Sequence, residues 1–459
     1  MKVLLVTLSF DASTVSPPIG LGYLAAMLRK EGHDAAIMDP ARDRYSMDDA
    51  ISHIIGQDPD LVGISIITPS YGQAKELVDR LHRDLPGVAI VTGGIHVTAL
   101  PEHTLRDLGV DYGVLGEGEY TILELVDALE GKRSLGDVKG LAYRRDGQII
   151  VNQRRESIGD VDSLPLPAWD LIQPGRYPPN PHNFFVKRLP VAPVLTSRGC
   201  TFHCKFCAGN TLWGSSCRLR SPVKVVDEIE LLVRDFGVRE IHIIDDNFTS
   251  NREHAMAVCR QLIGRGVDVP WKCPSGLRVD GFDRELLDLM KRAGCYQIGL
   301  GIESGNQEIL DHMHKGIRLD KVKDAVSMAQ EAGIEVHGYF IIGFPEETRE
   351  SIQDTIRFSQ SLGLDAVNYA ALAYVPGSEL FDEWVKDKDL SKVNWSQMKY
   401  DTPHDTIGLT TRQIKGIQAR ALHKFYSRPK IALKFLKKLK IRQIPYLLRI
   451  IKDYYTLHE

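Results

Sequence analysis

Three cysteines, Cys200, Cys204 and Cys207, fall within the run SRGCTFHCKFC (residues 197–207), and none precedes them in a chain of 459 residues. Thiolates are the usual ligands of iron and sulfur, and the spacing C-x3-C-x2-C lets one loop wrap three corners of a cubane cluster. Three corners leave one iron without a protein ligand, open to chelation by a substrate or cofactor. The competing chemistry is structural zinc, closed to a tetrahedron by His203 or Cys217. Against zinc, no second CxxC pair stands at finger spacing, and an aromatic, Phe206, immediately precedes the third cysteine. The remaining cysteines, Cys217, Cys259, Cys273 and Cys295, are scattered, as reduced thiols are and a disulfide framework is not.

Such a loop needs a rigid platform, and the surrounding pattern predicts one. From residue 191 onward, six apolar runs (VLTSRG, EIHIIDDN, WKCPSGLRV, YQIGLGIES, VHGYFIIGFP, AVNYAALAYVP) alternate with amphipathic helical stretches that mostly stop at glycine. Six such units are too few for a closed eight-fold barrel and enough for a partial one, with chemistry expected at the carboxyl ends of the strands. Cys200 follows the first of those strands. Ahead of this series, KVLLVTLSF, DAAIMD, LVGISIIT and AIVTGG are buried-strand patterns separated by helices, a rhythm that predicts a doubly wound, Rossmann-like α/β domain. A hairpin, GLAYRRDGQIIVN, turns at Asp146-Gly147. The predicted organisation is a first domain over 1–155, a proline-rich linker over 156–190, a partial (β/α)6 barrel over 191–376 and a small helical C-terminal region over 377–459.

Hydrophobic content of 43% and charged content of 25% describe a globular chain, neither disordered nor collagenous. No long uncharged apolar run or basic leader is present, so a cytoplasmic protein without a spanning helix is expected. Charge is unevenly placed: from Arg412 onward there are thirteen Lys/Arg against two acids, a local +11, which leaves −14 for the rest of a chain whose formal total is −3.

The cysteine run resembles the signature of the radical S-adenosylmethionine (SAM) enzymes, C-x3-C-x-aromatic-C, with Cys200, Cys204, Phe206 and Cys207 matching position for position over a region of about 191–376. The resemblance implies a 4Fe-4S cluster whose open iron binds the amino and carboxylate groups of SAM, and reductive cleavage to methionine and a deoxyadenosyl radical. It further implies that DDNF (Asp245, Asp246, Asn247) meets the methionine ammonium, where carboxylates accept charge-assisted hydrogen bonds. By the same likeness GIES (Glu303, Ser304) meets the ribose hydroxyls, and IIGFPEET (Gly343) lies along adenine. Each segment alone is also ordinary strand-end or capping chemistry; their order after the cysteines joins them.

The first domain resembles the cobalamin-binding domain fused to one branch of these enzymes, the branch that includes anaerobic magnesium-protoporphyrin monomethyl ester cyclases. The matching phrases are SPPIGLGYLAAMLR (Ser16, Pro18, Gly20, Gly22), VGISIITPSY (Ser65), GGIHVTALPE (Gly93, Gly94, His96) and VLGEGEYT (Gly116, Glu117). Glycines there permit close backbone approach to a large flat ring or its nucleotide tail. The loop after the first strand has Asp11 and no histidine, which implies base-off cobalamin without a histidine ligand; His96 is expected to hydrogen-bond cofactor or backbone rather than metal. Methylthiotransferases share the layout but need extra cysteines in the first domain, which this chain lacks.

The resemblance thus implies an enzyme that functionalises an unactivated carbon by methyl transfer or ring formation. A small-molecule, lipid or tetrapyrrole-like substrate and an electron donor such as flavodoxin or ferredoxin go with it. The other readings are a cobalamin-independent radical SAM enzyme and a non-catalytic zinc or corrinoid carrier. The basic tail is either a membrane-surface helix or a cap packed on the barrel; no nucleic-acid partner is expected, since no aromatic stacking module accompanies its charge.

Overall fold

The computed structural model describes residues 1–10, 15–179, 186–395, 398, 409–439, 443–445 and 448. Asp11 and most of the tail beyond 439 lie outside the described residues. The chain forms two compact units: Met1–Pro178, Phe206–Ser216 and Tyr374–Lys399 in the first, Pro179–Lys205, Cys217–Ala373 and Tyr400–Glu459 in the second.

The first unit is built on a seven-stranded sheet of β1 (Lys2–Val6), β2 (Asp34–Met38), β3 (Leu61–Ser65), β4 (Ala89–Gly93), β5 (Tyr112–Val114), β6 (Leu141–Arg145) and β7 (Gln148–Val151), ordered β2-β1-β3-β4-β5-β6-β7. The first five are parallel, and their near-continuous Val, Ile and Leu runs are what a sheet covered on both faces requires. Strand order reverses at β1, flanked by β2 and β3, and a doubly wound sheet opens its ligand crevice at such a point. Ser46 begins helix Met47–Gln57 with a reciprocal capping box to Asp49, the local bonding a Ser-x-x-acid phrase favours. The β6–β7 turn holds Asp146 at φ 51° and Gly147 at φ 77°, the paired positive φ of a type I′ hairpin.

In the second unit, β8 (Val191–Val194), β11 (Glu240–Ile243), β12 (Trp271–Leu277), β13 (Cys295–Glu303), β14 (Glu335–Ile342) and β15 (Ala366–Ala371) form one all-parallel sheet in chain order, the partial barrel. A two-residue antiparallel pair, β9 (Ser197–Arg198) and β10 (Arg218–Leu219), closes the excursion between β8 and β11. Helix Thr411–Tyr426 packs on β15 through Ile414, Ile417 and Phe425, all buried. Among the described residues no helix is long and apolar enough to cross a membrane.

The units are not the contiguous stretches 1–155 and 191–376. Residues 206–216 and 374–399 pack within the first unit: Ser157 Oγ donates to the Trp213 carbonyl at 3.1 Å, Thr211 Oγ1 to the Gly377 carbonyl at 2.6 Å, and Trp395 Nε1 to His103 Nε2 at 3.1 Å. Nor is the described part of 156–178 a free tether. Trp169 is 2% exposed, Ala168 N donates to the Gly22 carbonyl at 3.0 Å, and Tyr177 Oη donates to Asp39 at 2.7 Å. Proline there shapes a packed segment.

Candidate active site

Cys200 and Cys204 lie just past β9 in the second unit, half-buried and free. Asp245, beyond β11, is wholly buried and fully engaged: it accepts from Thr196 N at 2.7 Å, Thr196 Oγ1 at 2.5 Å and Ser197 Oγ at 2.7 Å. Burial pushes its carboxyl up against those bonds. Asp245 therefore clamps the chain that enters the cysteine loop. Its neighbour Asp246 is exposed at its rim, and desolvation from the protein around it, then the charge of Asp245, pushes its carboxyl up to about 6. Asn247 is buried; its Oδ1 accepts from Thr249 Oγ1 at 3.2 Å while Nδ2 has no partner among the described residues. An orphaned buried amide costs stability unless a ligand uses it.

Glu303 ends β13 at φ 65° and pairs with buried Lys315, Nζ to Oε1 at 2.8 Å. Gly301 makes room: a Cβ there would lie 2.6 Å from Glu303 Oε1 and 3.0 Å from Lys315 Nζ. Arg278 Nη1 donates to the Lys315 carbonyl at 2.7 Å, and its guanidinium lies 3.6 Å over the Phe202 ring. Lys205 N donates to the Met313 carbonyl at 3.0 Å, so the cysteine loop is strapped to the turn that carries Lys315. Desolvation raises both thiols, and at Cys204 the charges of Lys315 and Arg278 oppose it. Nearby cations favour the thiolate that binds metal.

Ser304 is spent locally, bonded to Thr355 Oγ1 at 3.0 Å and accepting from Asn306 N at 3.2 Å. Beyond β14, Gly343 N and Phe344 N both donate to Glu347 Oε2, at 2.6 and 3.1 Å. Glu347 is 1% exposed, its Oε1 has no partner among the described residues, and burial pushes it up to about 7. Cys259, Cys273 and Cys295 are buried, and burial pushes their thiol pKa values up, the environment of inert core thiols.

Phe206 and Cys207 belong to the first unit; Cys207 is exposed and Gly209 N donates to its Sγ at 3.4 Å. Among the described residues no three Cys, His, Asp or Glu side chains are gathered as a ready metal site.

The first unit holds a cavity of ≈ 230 Å³ at the carboxyl ends of β1, β3, β4 and β5. Gly20, Ser65, Gly93, Gly94, Gly116 and Glu117 line it. Gly94 has φ 99°, and a Cβ there would lie 2.6 Å from the Ile66 carbonyl, so only glycine brings this wall so close to β3. Glu117 accepts from Ile158 N at 2.9 Å. Four other expected contacts do not line this cavity. Gly22 is a packing position, where a Cβ would lie 2.6 Å from Ile172 Cδ1, and Ser16 and Pro18 are not among the cavity walls. His96 is fully buried, with Nδ1 3.1 Å from Thr68 Oγ1 and its ring centroid 4.5 Å from Tyr71 and 4.9 Å from Trp395. Desolvation holds it down at about 3, so it is neutral, and it does not line the cavity.

Sequence reasoning did not name Lys315, Arg278, Glu347, Leu212 or Trp213. Glu347 stood inside the quoted IIGFPEET phrase; a lone lysine or tryptophan at loop positions carries no pattern that would single it out.

The radical SAM superfamily model matches residues 194–359 and the B12 binding domain model residues 5–126. An uncharacterized methyltransferase of Pyrococcus horikoshii is 35% identical over 95% of this chain and 94% of its own. An anaerobic magnesium-protoporphyrin IX monomethyl ester cyclase of Rubrivivax gelatinosus is 32% identical over 80% of this chain and 66% of its own. The solved structure of OxsB, a cobalamin-dependent SAM radical enzyme with aqua-cobalamin and SAM bound, superposes with a TM-score of 0.75 at 18% identity, covering 100% of this chain and 71% of that one.

Proposed function

We propose, from the premise that this chain belongs to the B12-binding radical SAM enzymes, that it transfers a methyl group to an unactivated carbon of a small molecule. Its cofactors are a 4Fe-4S cluster, SAM and cobalamin. When bound, cluster and SAM supply one-electron cleavage of a sulfonium, and the corrinoid supplies the methyl group. The residues fit these groups. Three cysteine thiols outside any disulfide, cations opposing the desolvation of Cys204, an orphaned Asn247 amide and a glycine-walled cavity are the donors and spaces such ligands need.

In this reading Cys200, Cys204 and Cys207 hold the cluster, Asp246 accepts from the ammonium, Glu303 keeps one oxygen for ribose hydroxyls while Lys315 occupies the other, and the turn at Gly343 meets adenine. Asp245 and Ser304 position and do not touch. The cavity of ≈ 230 Å³ is smaller than the ~300–1,000 Å³ that enclose a drug-sized ligand, so it takes the nucleotide end of the corrinoid rather than the whole. Methyl transfer is favoured over ring formation because, of the two relatives named, the methyltransferase shares higher identity over a wider span. A flavodoxin or ferredoxin suits the electron supply, and the cytoplasm the compartment. The basic tail acts as a cap in its described part: Lys434 pairs with Asp365 at 2.5 Å and Glu335 at 3.2 Å, turning charge toward the barrel rather than a membrane.

The observation that carries the reading is one chain combining a strand-end loop of three cysteines, none in a disulfide, with a glycine-walled cavity. The test is anaerobic incubation of reconstituted protein with SAM, hydroxocobalamin and a low-potential reductant. S-adenosylhomocysteine and 5′-deoxyadenosine are expected, the former only with corrinoid, and neither from the triple variant Cys200→Ser, Cys204→Ser, Cys207→Ser. Deoxyadenosine without S-adenosylhomocysteine overturns methyl transfer.

A further inference from the structure

The glycine-rich phrases account for only part of the cavity wall. Leu212 and Trp213, from a segment almost one hundred residues beyond the last of those phrases, complete it. They end the helix Gly209–Trp213, which starts two residues after Cys207. The segment Phe206–Ser216 is held within the first unit at several points. Ser157 Oγ donates to the Trp213 carbonyl at 3.1 Å, the Arg154 guanidinium donates to the Thr211 carbonyl, and Thr211 Oγ1 donates to the Gly377 carbonyl at 2.6 Å. Gly377 allows the approach: a Cβ there would lie 2.8 Å from Thr211 Cγ2, and at the cavity Gly116 lies in ordinary contact range of the Leu212 carbonyl. At the other end Gly209 N reaches the Cys207 thiol at 3.4 Å. Thiol and cavity wall are thus six residues apart on one anchored turn.

We propose that Leu212 and Trp213 are corrinoid-binding residues, closing the cavity on the bound group, so that corrinoid loading fixes the helix that begins two residues beyond the Cys207 thiol. This rests on the reading that the cavity takes part of the corrinoid. An indole offers a wide, stiff apolar face at little entropic cost, which suits a flat heteroaromatic ring. Whatever holds this helix against the ligand also holds Cys207. By linkage, corrinoid binding and retention of the cluster strengthen each other by the same factor.

The experiment uses the full-length chain, reconstituted anaerobically with iron and sulfide, and titrated with hydroxocobalamin by ultrafiltration and visible absorbance. Trp213→Ala is expected to bind about tenfold more weakly or worse with unchanged iron content, and Trp213→Phe to stay within about threefold of wild type. Gly20→Phe probes the cavity itself: a Cβ at Gly20 meets nothing within 4 Å, so the phenyl enters the cavity without straining its helix, and binding is lost. A second readout is the rate of iron loss to a chelator, which saturating hydroxocobalamin should slow in wild type and not in Trp213→Ala. If Trp213→Ala binds as wild type does while Gly20→Phe fails, the inference falls and the cavity reading stands. If both variants bind normally, the cavity reading falls. If Trp213→Ala binds weakly yet is still protected against the chelator at saturation, the link to Cys207 is overturned.

Discussion

The parallel strands of the two sheets end in chemically contrasting surfaces. In the first unit the cavity is walled largely by backbone and apolar side chains: Gly93 ending β4 and Gly94 after it, Val114 ending β5 and Gly116 after it, and Leu5 on β1. In the second unit the equivalent edge is crowded with titratable and amide groups: Asp245, Asp246, Asn247, Glu303, Lys315 and Glu347, most of them buried. A large flat cofactor is accommodated by removing side chains, because shape and apolar area do the binding. A small zwitterionic ligand is accommodated by adding charge, because each of its ends needs a partner once water is gone. Fold class is shared between the sheets, and ligand chemistry is written in what stands at the strand ends.

Substitutions at the two edges should therefore fail in different ways. The largest effect is expected from Gly94→Val, which puts a side chain where φ is 99° and a Cβ lies 2.6 Å from the Ile66 carbonyl. It should destabilise the first unit by about 3 kcal/mol and abolish corrinoid retention while iron content stays normal, read by calorimetry, visible absorbance and metal analysis. Failure to lose corrinoid would erase the contrast drawn here. Next, Asp245→Asn presents an amide donor to three donors that now share one carboxylate. As a support behind the cysteine loop, its loss should lower cluster affinity or turnover roughly 10- to 100-fold with corrinoid binding unchanged. If only the KM for SAM rises, Asp245 is a ligand contact instead.

The smallest effect concerns Glu347. Its carboxyl stands at about 7 in the fold against an ordinary 4.5, so the native state holds a proton that the unfolded chain has released between those values. Stability that is present below about 4.5 is then lost as pH rises through about 7. Glu347→Gln removes that slope: the variant should gain on wild type by a few degrees in melting temperature between pH 5.5 and 8, roughly what a kilocalorie moves in a domain this size. An unchanged difference across that range would show that the carboxyl is not protonated. His96, neutral and buried among Tyr71 and Trp395, has the opposite sign, its contribution being lost as pH falls from about 6.5 toward 3.

Much of this was legible in the residue order. The alternation of apolar strands and amphipathic helices has local causes, burial on both faces, helix capping at Ser46 and the hairpin turn at Asp146-Gly147, so the Rossmann-like sheet and the six parallel strands could be read directly. The cysteine run was legible too, since a cluster loop needs its ligands close in sequence. Less legible was which member of a phrase does what. Asp245 and Asp246 are adjacent and identical in type, yet one is buried and consumed by Thr196 and Ser197 while the other is exposed, which is why the ligand role is proposed for Asp246. Gly20 and Gly22 differ by two places on one helix, and one faces the cavity while the other faces Ile172.

Composition, spacing and periodicity were enough for the elements and the thiol loop, because each arises from residues within a few positions of one another; SAM and cobalamin were implied by the family resemblance. Long-range packing alone brought Trp213 to a cavity begun at Gly20, set Lys315 against Glu303, and drew residues 374–399 back to the first unit. Those contacts join positions from twelve to hundreds of residues apart, and their energy depends on burial and mutual orientation that no local pattern encodes.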